Sequence, residues 1–256
     1  MSVLLVMYHG VEQRSGPLFV EPRLFAEHVA VIADSGLPVL TVGEVGELLR
    51  DGRLPARAVA LTFDDGFASV VERAAPLLLE HDLRATVFCV AGRLGGANDW
   101  STNPPGTPRV PLASPADLAH LAATGFEIGG HGMEHAPLDT DDPDEIRREV
   151  PEARTALEDA VGVPVASFAY PYGARPTPAA RHAVAETYRT ACTTRIGRVE
   201  ARADPLALQR VDAHYLRSPE LLRRAIGGGA SAYLAFRRVA ADARRTVKQD
   251  YVSPGG

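Results

Sequence analysis

Short apolar segments alternate with segments of helical periodicity along the chain, and this alternation constrains the fold more than any other feature. A typical unit is Val59-Ala-Leu-Thr-Phe63, an apolar run suited to a strand covered on both faces, followed by a helical pattern over 69–81. Strands that alternate with helices, without a composition break or an internal repeat, predict a parallel sheet. The number of such units in 256 residues favours a single α/β barrel that is closed or nearly closed.

The predicted elements follow from apolar runs, helical spacing and the Gly, Pro and Ser residues that separate them. The predicted strands cover 3–7, 39–41, 59–63, 85–90, 126–128, 165–169, 190–194 and 208–215. The predicted helices cover 22–35, 42–50, 69–81, 114–124, 142–161 and 178–186. We expect residues 1–218 to form the barrel and residues 219–256 to form a basic helical extension with a mobile end.

Composition narrows the classes of partner and compartment. The net charge of -5 gives no indication of nucleic-acid binding, so we expect no such partner. The basic segment beyond Pro219 is more typical of a solvated helix face than of a membrane-surface contact. Cys89 and Cys192 lie in apolar runs, as small core residues do. The first residues lack a basic stretch and a cleavage site, and no apolar run could span a membrane, which predicts a cytoplasmic protein.

Polar clusters follow several of the predicted strands and all fall at the same end of the barrel. The clusters are Tyr8-His9, Asp64-Asp65, His131 with His135, and Tyr170-Pro171-Tyr172-Gly173. A parallel barrel brings the carboxyl ends of its strands together, and this is where chemistry is placed in such folds. Four further histidines (His28, His81, His120 and His182) fall on helical faces or helix ends and are expected to be ordinary surface residues.

Two of these clusters together suggest a cation site. Asp64 and Asp65 repel each other unless a cation lies nearby, although Asp-Gly is also a common turn. His131 and His135 are four residues apart, which on a helical turn would place both imidazoles on one face, a common zinc-ligand spacing. Either signal alone is weak. Combined, they predict a site with two histidines and one carboxylate.

Three motifs in register resemble one enzyme family. Thr62-Phe-Asp-Asp-Gly66, His131-x-x-x-His135 and Phe168-Ala-Tyr-Pro-Tyr-Gly173 are similar to the motifs of the polysaccharide deacetylases, the NodB-homology domains of carbohydrate esterase family 4. Met7-Tyr-His9 and Leu54-Pro55 also resemble a branch with an N-terminal Tyr-His motif. The resemblance covers residues 1–215 and implies a distorted, TIM-like (β/α) barrel with seven strands.

The resemblance implies a role for each residue of the motifs. Asp65, His131 and His135 would bind a divalent metal, most often zinc, which would polarise a substrate amide and acidify a water molecule. Asp64 would be the general base that takes the proton of that water. The backbone N–H of Tyr172 would stabilise the tetrahedral oxyanion.

Two departures from the family pattern leave partners open. The third motif usually carries an arginine two residues before its proline, where this chain has Ala169, so Arg210 is our candidate partner for the base Asp64. The family's acid histidine usually lies in a Leu-x-His near the C-terminus, where this chain has Val211-Asp-Ala-His214. In the Tyr-His branch the first histidine supplies the acid, so we favour His9 over His214.

Substrate contacts are expected from the third motif and from the long loop over 92–113. Tyr170, Pro171 and Tyr172 would line the substrate pocket. Trp100, the only tryptophan, lies in the loop, where it could stack on a sugar ring or serve in packing.

The function that these features predict is a metal-dependent hydrolase that removes an N-acetyl group from an amino sugar of a glycan, glycolipid or small glycoside precursor. The sugar rests on the resemblance alone. One alternative keeps the site and changes the bond, giving a deformylase or an O-deacetylase. Another alternative is a catalytically silent carbohydrate-binding relative, because Ala169 replaces the expected arginine.

Overall fold

The computed structural model describes residues 1–14, 16 and 18–247, and Lys248 with the predicted mobile end lies outside the described residues. The strands are β1 (Ser2–Tyr8), β2 (Gly10–Val11), β3 (Phe19–Val20), β4 (Val39–Leu40), β5 (Ala58–Phe63), β6 (Thr86–Cys89), β7 (Glu127–Gly130), β8 (Ser167–Ala169), β9 (Thr190–Ile196), β10 (Val199–Glu200) and β11 (Leu208–Asp212). The α-helices are α1 (Pro22–Asp34), α2 (Val42–Arg50), α3 (Ala75–Glu80), α4 (Pro115–Ala123), α5 (Pro143–Arg147), α6 (Ala153–Val161), α7 (Pro178–Thr187), α8 (Pro219–Ile226) and α9 (Ser231–Val247).

Seven parallel strands close into a barrel. Around the ring the order is β1, β11, β9, β8, β7, β6 and β5, and β5 pairs again with β1. Two short strands extend the sheet beside this ring: β10 runs antiparallel to β1, and β4 runs parallel to β5. The predicted seven-stranded, TIM-like α/β barrel is therefore confirmed.

The central pair of strands shows why the apolar runs form this barrel. All six residues of β5 are buried, as expected for a strand with side chains packed on both faces. Its partner β1 is in parallel register, with Val3 opposite Ala58 and Tyr8 opposite Phe63. Equal register brings the two strands to an end at the same level. The residues that follow them, His9 and Asp64, therefore lie at one end of the barrel.

Local sequence signals predict the position of the helices well. Ser114 accepts the N–H of Asp117 in a capping box, with Pro115 at the first helical position, so α4 begins where the sequence predicts. Two predicted helices differ from continuous α-helix. A π-helical turn, Val70–Ala74, leads into α3, and a second, Arg148–Glu152, joins α5 to α6. The two-residue strands β2, β3 and β10 are too short to show a periodicity in the sequence.

The prediction that His28 lies at the surface is wrong. His28 is fully buried in α1, where its Nδ1 pairs with the hydroxyl of Tyr8 at 2.9 Å. Tyr8 packs edge-on against Phe25 as well, so an aromatic cluster surrounds the imidazole. A buried neutral histidine with one polar partner fits an amphipathic helix as well as a surface histidine does, and the sequence pattern cannot separate the two.

The C-terminal helices pack against the barrel. Leu222, Ala225 and Ile226 of α8 are buried, and the hydroxyl of Tyr233 in α9 donates to the carbonyl of Tyr215 at 2.9 Å. The division into a barrel and an extension at residue 218 stays a prediction. In the described part of the chain, no helix combines the length and apolar character needed to cross a lipid bilayer.

Candidate metal centre

Two adjacent carboxylates open the site at the carboxyl end of β5. Asp64 and Asp65 are both buried, and a tight turn follows them. Asp65 adopts a left-handed backbone with φ of +71°, and Gly66 continues it with φ of +73°. Non-glycine residues rarely adopt this conformation, and it concentrates at functional sites. The turn sends the two neighbouring side chains to different partners.

Asp64 is held by a buried arginine. Arg210, in β11, donates from Nη1 to Oδ1 at 2.6 Å and from Nη2 to Oδ2 at 2.7 Å. The guanidinium is itself fixed, because its Nε donates to the carbonyl of Thr193 and its Nη1 to the hydroxyl of Thr62. Such a fork-to-fork pair fixes a carboxylate in orientation as well as in charge. The structure thus places Arg210 where the sequence analysis looked for the partner of Asp64.

Burial and neighbouring charges act in opposite directions on both carboxyls. Burial alone would raise the pKa of Asp64, but the guanidinium of Arg210 and the ring of His131 lower it below its ordinary value. Burial would likewise raise the pKa of Asp65, whereas the imidazoles of His131 and His135 lower it well below the usual range. Both groups are therefore carboxylates at neutral pH.

Asp65, His131 and His135 converge on one point with geometry suited to a metal ion. Oδ1 of Asp65 lies 3.5 Å from Nε2 of His131 and 3.4 Å from Nε2 of His135, and the two Nε2 atoms are 3.2 Å apart. Ligands bound to zinc at 2.0–2.1 Å in a tetrahedron lie about 3.4 Å from each other, so these three atoms match three of its corners. The three residues fit a divalent cation, and they are the predicted ligands.

A second observation supports the fit. Nδ1 of His131 lies 2.7 Å from the carbonyl of Ala169 and donates to it, which leaves the lone pair of Nε2 facing Asp65 and His135. A hydrogen bond from the distal ring nitrogen to a carbonyl is the usual support of a metal-bound histidine. Ala169, where the family pattern has an arginine, contributes here through its backbone.

The two histidines are brought together by a loop and not by a helical turn, so that expectation is wrong. After β7, Gly132 has φ of +84° and His135 has φ of +59°, neither of which a helix allows. The rings meet edge to face, with centroids 4.8 Å apart. The spacing of four residues correctly predicted that the two imidazoles lie close together, but the backbone that brings them together is a loop.

Aromatic side chains enclose His135. The indole of Trp100 lies over its ring with centroids 4.4 Å apart, and Tyr172 meets it edge-on, also at 4.4 Å. Thr102 joins the two walls, because its hydroxyl lies 2.8 Å from that of Tyr172 and donates to the carbonyl of His135. The long loop after β6 therefore closes one side of the candidate metal centre.

A cavity of about 560 Å³ opens above the carboxylates. Its walls combine the candidate ligands with apolar groups and the proline-rich part of the long loop. They are formed by Met7, His9, Gly16, Leu18, Phe19, Asp64, Asp65, Trp100, Asn103, 104–108, His131, His135, Tyr172, Thr194, Ile196, Asp212 and Tyr215. A mainly apolar cleft with a few convergent polar groups is the usual form of a small-ligand site.

The two candidate acids differ in position. His9 lines this cavity, and its imidazole interacts electrostatically with the carboxylates of Asp64, Asp65 and Asp212. His214 is exposed and lines only a neighbouring cavity of about 280 Å³, where its Nδ1 accepts a hydrogen bond from Arg217 at 2.7 Å. The structure brings His9 to the candidate centre and leaves His214 outside it.

The predicted substrate contacts hold only in part. Tyr170 is 1% exposed, packs on Phe168 and donates to the carbonyl of Leu206, and the adjacent Pro171 is also buried. Neither side chain lines the cavity, so the expectation that they contact substrate is corrected. Tyr172 does line it. Trp100 lines it with an edge, since its face packs on His135 and only 4% of the residue is exposed; the packing role is the one observed.

Asp212 is a residue of the candidate site that was not predicted from the sequence. Its carboxylate lines the cavity, and its Oδ1 accepts the backbone N–H of His214 at 2.7 Å. The signal was available, because Asp212 ends β11 opposite Met7 of β1 and follows the same strand-end rule as Asp64.

Comparisons with known proteins agree with this architecture. The profile of the family described as Polysaccharide deacetylase matches residues 51–191. YxkH of Bacillus subtilis (strain 168), named for the same family, is 23% identical over 208 residues, 81% of this chain and 70% of its own. Among solved structures, Streptococcus pyogenes deacetylase PplD in complex with acetate has a TM-score of 0.75 at 24% identity, covering 88% of this chain and 98% of that chain. IcaB from Ammonifex degensii has a TM-score of 0.71 at 22% identity, covering 90% and 97%. At these identities the structural likeness shows the fold.

Proposed function

Because the chain belongs to the polysaccharide deacetylase family, we propose that it is a metal-dependent hydrolase that removes the acetyl group from an N-acetylated amino sugar. One observation carries the proposal. Three potential ligands converge beside a second carboxylate, Asp64, which is excluded from the triad and fixed by Arg210. A carboxylate that is held beside the ligands without being one of them is placed as a general base for a metal-bound water would be.

Asp65, His131 and His135 would hold the metal ion. A divalent cation bound there supplies a Lewis acid that polarises the amide carbonyl and acidifies a water molecule. Zinc fits the ligand set of two imidazoles and one carboxylate, and other transition metals take the same ligands.

Asp64 is the proposed general base. Its two oxygens are oriented by the guanidinium of Arg210, and its lowered pKa keeps it ionised and able to accept the proton of the attacking water. The chain thus supplies from β11 the orienting arginine that the family pattern has at the position of Ala169. This arrangement argues against a catalytically silent relative.

His9 is the proposed general acid that protonates the leaving amine nitrogen. It faces the same cavity as Asp64 but follows β1, so base and acid come from two adjacent strands. The backbone N–H of Tyr172, in a left-handed turn with φ of +57°, is the proposed donor to the oxyanion. The edge of Trp100, the ring of Tyr172 and the prolines of the long loop would contact the sugar.

Acetate release tests the proposal. The purified protein is stripped with a chelator, reloaded with zinc or cobalt, and incubated with N-acetylated, N-formylated and O-acetylated amino-sugar oligomers. We expect acetate from the N-acetylated oligomers, only after reloading, and none from a His131→Ala variant. Formate alone, or acetate from the esters alone, would replace the proposal by a deformylase or an O-deacetylase. No product from any of these substrates, with metal bound, would favour a binding protein.

A further inference from the structure

A buried carboxylate outside the metal triad holds the loop that carries both histidines. Glu149 lies in the π-helical turn Arg148–Glu152 and is 0% exposed. Its Oε2 accepts the backbone N–H groups of Met133 at 3.0 Å, Glu134 at 3.1 Å and Ala136 at 3.4 Å. Its Oε1 accepts a second contact from the N–H of Glu134 at 3.2 Å.

The opposite edge of the loop is pinned as well. The carbonyls of Gly132 and Met133 accept the N–H groups of Ala91 and Gly92, each at 2.9 Å. The carbonyls of the loop therefore face the end of β6, and its N–H groups face Glu149. Position 132 of the loop requires a glycine, because a Cβ on that residue would lie 2.6 Å from Oε2 of Glu149.

We propose that Glu149 is a positioning residue of the metal centre, an inference that rests on the proposed metal-dependent function. The loop it holds has no regular hydrogen-bond ladder, and it keeps His135 in a left-handed conformation that is rare for a residue with a side chain. Such a conformation persists only where the surroundings determine it. Through the N–H groups on both sides of His135, Glu149 aims Nε2 of that ring at Asp65 and at Nε2 of His131.

The N–H groups that converge on Glu149 suit a carboxylate better than an amide, and they act against burial, which raises the pKa of Glu149. An ionised carboxylate only accepts hydrogen bonds, and its two oxygens offer four acceptor positions for the converging N–H groups. A glutamine of the same size can keep an oxygen at the position of Oε2, but that oxygen is uncharged, and the NH2 group then replaces Oε1 against the N–H of Glu134. Among the residues that the structure describes, Glu149 has one salt-bridge contact, with Arg148, whose side chain is half exposed and whose Nε lies 3.7 Å from Oε1. The loop N–H groups are thus its closer partners.

The test compares the metal affinity of two glutamate variants from this region. Chelator competition on the apoprotein gives the zinc dissociation constant of the wild type, of Glu149→Gln, and of Glu134→Gln as matched control. Glu134 lies on the same loop, but its side chain points to Arg93 at the surface. We expect Glu149→Gln to bind zinc about 10- to 100-fold more weakly, as for other groups that orient metal ligands, and Glu134→Gln to bind like wild type.

The outcomes distinguish failure of this inference from failure of the proposed function. A merely structural role would lower the urea midpoint of the apo and zinc-loaded forms equally and leave the dissociation constant unchanged, which would overturn the inference. Absence of zinc binding by the wild type would instead overturn the proposed function. If Glu149→Gln does not fold, Glu149→Asp withdraws the carboxylate by one methylene; about tenfold weaker zinc binding is expected, and wild-type affinity would overturn the inference.

Discussion

Arg210 and Asp64 form a doubly hydrogen-bonded ion pair between β11 and β5, with N···O distances of 2.6 and 2.7 Å and both residues buried. The pair distinguishes Asp64 from its neighbour Asp65, whose carboxylate lies beside His131 and His135 instead. It also explains how the chain can dispense with an arginine at position 169. Replacement of the guanidinium therefore tests the orientation of Asp64 separately from metal binding.

Arg210→Lys is expected to lower kcat for acetate release by about 10- to 100-fold. A lysine keeps the positive charge but cannot form the two parallel bonds that orient the carboxylate. Zinc affinity should stay at the wild-type value, because Asp65, His131 and His135 are untouched. Wild-type kcat in Arg210→Lys would show that the orientation of Asp64 does not depend on the fork of the arginine.

His9→Asn should lower kcat by about 10²- to 10⁴-fold, the usual contribution of a positioned acid. The matched control is His214→Asn, which should retain nearly full activity, since His214 is exposed and does not line the larger cavity. Steady-state acetate release by the two variants, with metal content measured in each, makes the comparison. The reverse ranking would assign the acid to His214.

Metal binding should stabilise the folded protein. At free zinc about 100-fold above its dissociation constant, linkage gives about 2.7 kcal/mol, or a rise in Tm of about 5–10 °C for a chain of this size. Thermal denaturation with zinc or with a chelator measures the rise. His131→Ala should abolish it, whereas His182→Ala, an exposed histidine, should not. An equal rise in both variants would place the metal elsewhere.

His28 should make stability depend on pH in the acid range. Burial lowers its pKa from 6.5 to about 4, so the unfolded chain takes up a proton before the folded protein does. The stability that neutral His28 contributes is complete above about pH 6.5 and is lost as the pH falls toward 4. Between about pH 7.5 and pH 5 the loss is about 2 kcal/mol.

Urea denaturation at those two pH values checks this linkage. His28→Gln keeps a partner for the hydroxyl of Tyr8 but does not titrate, so its stability should fall less than that of the wild type. His81→Gln, at an exposed position, should fall as the wild type does. An unchanged pH dependence in His28→Gln would mean that His28 does not titrate as a buried neutral group.

The barrel could be predicted from the sequence because its signals are local and repeated. Each strand such as β5 is an apolar run, and each helix such as α4 has its own cap, so order and type follow without tertiary information. The rule that the carboxyl ends of parallel strands meet then correctly predicted that Asp65, His131 and His135 lie together. The rule works because all seven barrel strands run in the same direction.

What the sequence could not show depends on contacts between distant segments. Arg210 reaches Asp64 across 146 positions of the chain, so the sequence could name it only as a candidate partner and could not show the contact. Glu149 reads as one more charge on an exposed helix, although it is fully buried beneath the histidine loop. Tyr170 reads as a pocket residue by its place in the motif, yet its ring turns into the core. Side-chain direction after a strand end depends on the turn that follows.

The proposed role of Asp64 is that of a base beside a metal ion that it does not bind. Asp64→Asn tests it most directly, with zinc content and acetate release from an N-acetylated amino-sugar oligomer measured on the same sample. We expect Asp64→Asn to bind zinc as the wild type does and to release acetate about 10²- to 10⁴-fold more slowly. Acetate release at the wild-type rate from Asp64→Asn would contradict it.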